Sequence, residues 1–247
     1  MPDFEKSLWS DPEFSREYLD NAEAYIPLRG TMLSVLVSFY DHFIRDGSRK
    51  NILDLGCGDG IVAASLLASD PTASLTLVDG SVDMLEKAAA RFPGFPGATL
   101  VEASFQRLVS ESLLEVEQYH LVVSSLAIHH LGSDEKRDLY GYIYNRLRPG
   151  GFFLHLDVVL GPTEDQEGWS MALWQDWVDR QRDAGITDQD FGDIIRRYKA
   201  NSDNRPDTLA FHMGTLSHAG FRQVDCLFKY GAFAVWCGKK PDPSNKR

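Results

Sequence analysis

The chain alternates short apolar runs with longer segments whose apolar residues recur every three or four positions. The runs Asn51–Leu55, Leu75–Val78, Thr99–Ala103, Leu121–Ser125 and Phe152–Val158 predict strands. Between them, Val62–Ala68 predicts a helix stopped by Asp70-Pro71. A second, capped by Ser81, places Val82, Leu85, Ala89 and Phe92 on one face and stops at Pro93-Gly94. A third starts at Ser133, carries Asp134 and Glu135 in its first turn, buries Leu139, Ile143 and Leu147, and ends at Arg148-Pro149-Gly150-Gly151. Upstream, Met32, Val35, Leu36, Phe39 and Phe43 predict a helix over 31–45. Strands and helices in this rhythm make a mostly parallel sheet covered on both faces, an α/β architecture. The C-terminal part departs from it. A helix from Asp207 to Ala219, closed by Gly220, precedes two strands, Val224–Phe228 and Phe233–Cys237. Joined around Lys229-Tyr230-Gly231-Ala232, they read as a hairpin, which requires one antiparallel strand in the sheet.

Two stretches fall outside the rhythm. Residues 1–30 mix aromatics with acids and read as an N-terminal flap. Residues 161–205 place Trp169, Trp174 and Trp177 on a helix, and the segment is longer than a connection needs. It is expected to be a helical lid over the site; a helix pair that covers the sheet is the alternative, and both can hold. The core then spans 31–160 and 206–240.

The segment Ile52-Leu53-Asp54-Leu55-Gly56-Cys57-Gly58-Asp59-Gly60 carries the chemistry. A strand runs into three glycines, a helix follows, and Asp79 ends the next strand, which makes a nucleotide-binding βαβ unit with an acid placed for ribose hydroxyls. A dinucleotide loop would need its third glycine at position 61, which is Ile61, and no lysine follows Gly60 as a phosphate-gripping Walker loop requires. Asp54 and Asp59 would repel a diphosphate but suit a ligand with ammonium and sulfonium charges.

Composition narrows the partners. The chain of 247 residues has net charge −11 and no extended basic face, which disfavours nucleic acid and favours a small neutral or cationic molecule. No apolar run approaches the roughly 20 residues that span a bilayer, and no secretory signal is visible at the N-terminus. Three well-separated cysteines, Cys57, Cys226 and Cys237, lack metal spacing and suit a reducing cytoplasm. No metal is expected, and the protein is expected to be a monomer or homodimer.

Four motifs in order extend the picture: Leu53–Gly60, then Val78-Asp79-Gly80-Ser81 with Met84-Leu85, then Ser124–Leu131, then Leu147-Arg148-Pro149-Gly150-Gly151-Phe152. With the hairpin tail, they resemble the class I S-adenosylmethionine-dependent methyltransferases, nearest the small-molecule, ubiquinone-biosynthesis-like branch. There is a looser likeness to the carboxy-S-adenosylmethionine synthase group. The resemblance implies a Rossmann-like sheet of seven strands and S-adenosyl-L-methionine as cofactor. It implies that Gly56 and Gly58 admit the methionine part and ribose, that Asp54 orders the amino group, and that Asp79 takes the ribose hydroxyls. Met84 would pack on adenine. Ser104 stands where the family often has an acid, and the Phe105 backbone N–H would serve the adenine ring. Ser124 and Leu126 would border the methionine moiety, with Tyr25 and Arg29 closing over the cofactor from the flap.

Methyl transfer is an in-line displacement in which positioning does much of the work, and a hydroxyl or ammonium acceptor must also lose a proton. The candidate bases follow strands four and five, His129, His130, His155 and Asp157; His129 is preferred, and Asp157, near its strand's end, is a second catalytic candidate that faces either the site or a lid residue. If the strand continued, His129 and His130 could not both face the ligand, and the pair could equally pack or cap the helix at Ser133. His155 reads as core. Tyr18, His130, Trp174 and Tyr230 are the expected acceptor contacts. Trp169, Trp177, Tyr198, Lys229 and Phe233 are further possibilities. The reading is a small-molecule methyltransferase acting on oxygen or nitrogen. Two alternatives stay open: a tRNA-modification-linked enzyme that uses or makes a modified S-adenosylmethionine, supported if an arginine faces the methyl group, and a non-catalytic S-adenosylmethionine-binding module. A dinucleotide oxidoreductase is disfavoured by Ile61 and the hairpin tail.

Overall fold

A computed structural model describes residues 7–187 and 193–244. Seven strands form one sheet: β1 (Asn51–Leu55), β2 (Ser74–Asp79), β3 (Ala98–Glu102), β4 (Tyr119–Ser125), β5 (Leu147–Val158), β6 (Arg222–Tyr230) and β7 (Phe233–Lys239). Their order is β3-β2-β1-β4-β5-β7-β6, parallel except for β7, which runs antiparallel to both neighbours. The expected α/β sheet with its terminal hairpin is therefore the observed one. β5 starts five residues earlier than predicted, so Arg148-Pro149-Gly150-Gly151 lies inside the strand, at a shift in register against β4 between Leu147 and Phe152.

Helices cover both faces. On one lie α2 (Arg29–Phe43), α3 (Ile61–Ser69), α4 (Val82–Arg91) and α7 (Glu164–Asp183); on the other lie α5 (Phe105–Ser110), α6 (Ser133–Arg146) and α9 (Leu209–His218). Strand alternation divides the core. In β5, Phe152, Leu154, Leu156 and Val158 pack with the first layer, while Phe153 packs with the second. His155 and Asp157 share the parity of Phe153, so two polar side chains point toward α6 and α9. Each fully buried large apolar side chain, such as Phe153 or Trp236, contributes roughly 2 kcal/mol.

Helix α1 (Pro12–Tyr25) runs through the N-terminal stretch of aromatics and acids. Asp11 accepts from the Glu13 N–H as its N-cap, and Pro12 opens the first turn. The insertion carries α7 and the short α8 (Ile194–Ala200). α1 packs on α7, and the Trp174 indole N–H donates to the Tyr25 carbonyl at 2.7 Å. The N-terminal helix and the insertion thus meet.

Candidate active site

The sheet order reverses between β1 and β4, where the crevice beyond the strand ends is the expected ligand site of an open α/β sheet. A cavity there offers about 170 Å³ to the centre of a water-sized sphere. Its floor is the glycine turn. The Gly56 and Cys57 N–H groups both donate to the Val78 carbonyl, at 2.8 and 3.0 Å, which pins the turn to β2. Gly56 has φ +66°, and a Cβ on it would sit 2.4 Å from the Ala127 Cβ, so no side chain fits.

Asp79 ends β2 with both oxygens engaged: Oδ2 accepts from the Gly58 N–H and Oδ1 from the Ser81 N–H, each at 2.9 Å. Burial raises its pKa, and the backbone donors of Ser81, Gly58 and Gly80 partly offset the rise. Asp54 differs. It is 1% exposed, it lines the cavity, and neither oxygen has a partner. Burial first, then the Asp79 carboxylate, push it up to about 7, while the Ala63 N–H pulls the other way without reaching hydrogen-bond geometry. A buried carboxylate without a donor calls for a cation. Asp59, the second acid of the turn, is already answered by the Arg91 guanidinium, which also binds its carbonyl.

Met84, Ser104, Phe105, Leu126 and Arg29, which the resemblance names for the cofactor, line this cavity. Ser104 Oγ caps α5 by accepting from the Arg107 N–H. Gln106 and Glu135, which the sequence reading missed, join the wall, with the Gln106 amide donating to Glu135 at 2.9 Å. Ser124 is corrected. Its hydroxyl donates to the Leu55 carbonyl at 2.7 Å inside the sheet, and strand alternation gives the cavity wall to Ser125.

A second chamber adjoins the first and offers about 300 Å³ by the same measure. Trp9, Tyr18, Ile26, Leu126 and His130 border both. Leu126 stands at the junction in a left-handed conformation, φ 54°, costing on the order of 1 kcal/mol. Tyr18 has its hydroxyl pushed up to about 12 by burial, against the pull of Arg29, so it stays protonated. Tyr25 opens onto the second chamber and not the first, which corrects its assignment to the cofactor.

His129 and His130 both line the second chamber, because the strand stops at Ser125 and a 3₁₀ turn, Ile128–His130, replaces alternation. Both nitrogens of His130 are engaged. Nε2 accepts from the Trp9 indole N–H at 2.8 Å, so Nδ1 carries the proton toward the Asp203 carbonyl at 3.2 Å. Burial and the neighbouring His129 ring lower its pKa to about 3, so it is a neutral wall. His129 Nδ1 lies 2.5 Å from Asp157 Oδ1, which leaves Nε2 as its free tip.

Asp157 touches neither cavity and acts only through His129, a correction to its assignment as a residue at the reaction centre. Burial alone would raise it, but the His129 and His155 rings hold it well below the usual carboxylate range. Behind it lies a buried chain. His155 Nε2 donates to Asp157 at 3.0 Å, its Nδ1 accepts from the Tyr140 hydroxyl at 3.3 Å, and His212 Nδ1 donates to Tyr140 at 2.5 Å.

Trp174 lines the second chamber, while Trp169 is 60% exposed and lies away from it. Tyr230 touches neither cavity; Arg180 donates to its hydroxyl at 3.4 Å, and its ring lies against Trp177. Arg197 also lines the chamber, paired with Glu17 at 3.3 Å. Among the described residues no cluster of side chains could hold a metal ion, and no helix is long and apolar enough to cross a membrane.

The family described as "Methyltransferase domain" matches residues 53–153, the span from β1 through β5 that holds the glycine turn, Asp79 and the His129 turn. The fold is that of the class I S-adenosylmethionine-dependent methyltransferases. Curated relatives carry another name. The carboxy-S-adenosyl-L-methionine synthase of Chromohalobacter salexigens is 25% identical over 211 residues, covering 85% of this chain and 74% of the relative. That of Pseudoalteromonas translucida is 23% identical and covers 91% and 90%. Among solved structures, an O-methyltransferase family protein from Burkholderia thailandensis superposes with TM-score 0.68 at 15% identity, covering 97% of this chain and 63% of that one. Human N-acetylserotonin methyltransferase, solved in complex with S-adenosylmethionine, gives 0.63 at 16% identity, covering 96% and 59%. The chain spans about three fifths of the length of these structures.

Proposed function

We propose that the chain transfers a methyl group from S-adenosylmethionine to an oxygen or nitrogen of a small molecule held in the second chamber. The observation that carries this reading is the free Nε2 of His129 in a chamber that adjoins the glycine-turn cavity at Leu126. The glycine turn fits the cofactor. Asp54, buried and unpartnered, would take its ammonium group, and Asp79 would take the ribose hydroxyls. S-adenosylmethionine supplies a methyl group already activated by a sulfonium leaving group. His129 would accept the acceptor's proton at Nε2, and Asp157 would hold the ring in the right tautomer and stabilise the imidazolium. Trp9, Tyr18 and the insertion would exclude water.

The test pairs binding with turnover. Calorimetry should find S-adenosylhomocysteine bound and NAD not bound. Cofactor labelled in its methyl group should pass the label into an acceptor from a small-molecule extract of the source organism. H129Q should keep S-adenosylhomocysteine affinity and lose transfer; unchanged transfer would sink the role of His129, and absent S-adenosylhomocysteine binding would sink the cofactor assignment.

A second reading has its own observation. Arg197 lines the chamber, and the curated relatives are named carboxy-S-adenosyl-L-methionine synthases, so a guanidinium there could receive the carboxylate of a modified cofactor. Mass spectrometry of the nucleoside product after incubation with the same extract separates the two: a carboxylated sulfonium favours this reading, S-adenosylhomocysteine the first.

A further inference from the structure

Two residues that line the second chamber lie near each other, and each keeps a side-chain polar atom without a hydrogen-bond partner. One is the free Nε2 of His129. The other is the Tyr198 hydroxyl, which α8 brings into the same wall and which is shut from solvent without a hydrogen bond. The two rings lie 6.5 Å apart, centroid to centroid, at 44°. An unmade hydrogen bond on a buried hydroxyl costs about 1–3 kcal/mol, so this arrangement is explained when a ligand supplies the partner. Around them the walls are flat rings. Trp174 meets Tyr198 edge-on at 5.1 Å and Phe233 at 5.0 Å, and its indole N–H is fixed to the Tyr25 carbonyl. Rings held in this way accept another ring by offset or edge contact.

Building on the methyltransferase reading, we propose that the acceptor is an aromatic hydroxyl compound, and that Tyr198 donates to the same oxygen from which His129 removes the proton. An amine would leave Tyr198 idle, because its nitrogen spends its only lone pair in the attack and keeps none to accept the Tyr198 hydroxyl, although His129 could still take its proton. A hydroxyl uses both: its hydrogen goes to His129 Nε2, and one lone pair receives the Tyr198 hydroxyl. Tyr198 stays protonated, since burial raises its pKa and the negative charges of Asp157 and Glu167 act in the same direction. In balance, the acceptor O–H bond breaks and its proton stays on His129. The oxygen forms the new O–C bond, the C–S bond breaks, and its electron pair returns to sulfur, leaving neutral S-adenosylhomocysteine. Trp9, Tyr18 and His130 would close the side of the chamber toward the cofactor.

4-Nitrophenol is a suitable probe, because its phenolate is coloured and its hydroxyl ionises near neutrality. With S-adenosylhomocysteine bound, the full chain should bind 4-nitrophenol and display more phenolate absorption than free solution at the same pH. H129Q should bind it without that extra absorption. Y198F should bind it about tenfold more weakly, the loss expected for one hydrogen bond, with S-adenosylhomocysteine affinity unchanged as proof of folding. Nitrobenzene, which lacks the hydroxyl, should bind no better to wild type than to Y198F. Equal affinity of wild type for 4-nitrophenol and nitrobenzene, equal affinity for 4-nitroaniline, or a Y198F variant indistinguishable from wild type would overturn the proposal. Retained S-adenosylhomocysteine binding without 4-nitrophenol binding would overturn it alone. Loss of S-adenosylhomocysteine binding in the wild type would overturn it together with the cofactor assignment.

Discussion

Asp157 grips His129 at two points: one oxygen lies 2.5 Å from the ring Nδ1 and the other accepts the His129 backbone N–H at 2.9 Å. The first contact fixes the tautomer, and the second fixes the turn that presents the ring. The same carboxylate also receives His155 Nε2 and the Val158 N–H, so four donors converge on it. In D157N, one side of the amide can only donate, and it would turn the His129 ring or force the wrong tautomer. Methyl transfer should fall at least about a hundredfold, the lower end of what a positioned general base contributes. S-adenosylhomocysteine affinity should stay within about threefold, because Asp157 borders neither cavity. Transfer measured with labelled cofactor beside calorimetry checks both halves.

Asp54 makes a sharper prediction about protons. Its folded pKa of about 7 stands some three units above the ordinary carboxylate value, a penalty on the order of 4 kcal/mol for the ionised form. A ligand ammonium beside it would lower that value again. Binding of S-adenosylhomocysteine at pH 6.5 should therefore release a large fraction of one proton, and the release should vanish well above pH 7. Calorimetry in buffers of different ionisation enthalpy reads this directly. D54N should release none; a wild type that releases none would remove Asp54 from the ammonium site.

The architecture was legible because β1, β4 and β5 are buried on both faces and so read as mainly apolar runs, broken only by Asp54, His120, His155, Asp157 and strand ends. The cofactor turn was legible because its glycines and acids are local. Helix α1 was legible in principle: Asp11-Pro12 is a start signal, and Phe14, Tyr18, Ala22 and Tyr25 recur at helical spacing, but the intervening acids masked it. Helix α5, six residues long, has too few positions for a period to register. The roles of Ser124 and Ser125 turn on one residue of strand register, which sequence sets only loosely at a strand end. The chain from Asp157 through His155 and Tyr140 to His212 joins three elements far apart in sequence, so no local pattern announces it.

Gly56 ties sequence to geometry at a single atom. A methyl group there would lie 2.4 Å from the Ala127 Cβ and 3.1 Å from the Phe105 ring, on a backbone with φ +66°. G56A should cost about 1–2 kcal/mol from the left-handed backbone alone, with the overlap in addition. The Ala127 segment leads into His129, so the displacement should damage both chambers. Urea denaturation should report the stability loss, and S-adenosylhomocysteine binding should fall at least about tenfold. G58A is the control. Its φ is +53°, but its Cβ would meet nothing within 4 Å, so it should show the backbone cost without the clash. Equal losses of stability in the two variants would remove packing as the reason for Gly56.

Acid should unfold the protein earlier than its surface charges alone would dictate. His130 and His212 are lowered by burial to about 3, and His155 is lowered by burial against the pull of Asp157. A histidine with a folded pKa below its unfolded value of about 6.5 binds its proton more readily in the unfolded chain. Its contribution to stability is therefore complete above pH 6.5 and is lost as pH falls toward the folded value. Each such group changes stability by about 1.4 kcal/mol per pH unit in that window. Asp54 opposes them, because its raised pKa makes the folded state hold a proton that the unfolded chain releases between about pH 4 and 7. His120 is lowered to about 4 as well and Asp79 is raised like Asp54, so four histidines stand against two carboxyls and the net effect is a loss of stability as pH falls below 6. Urea unfolding at pH 7, 6 and 5 measures the slope. H212Q removes one buried imidazole and should flatten it by about one proton, whereas a slope identical to wild type would mean that His212 is protonated in the fold and that the buried chain runs the other way.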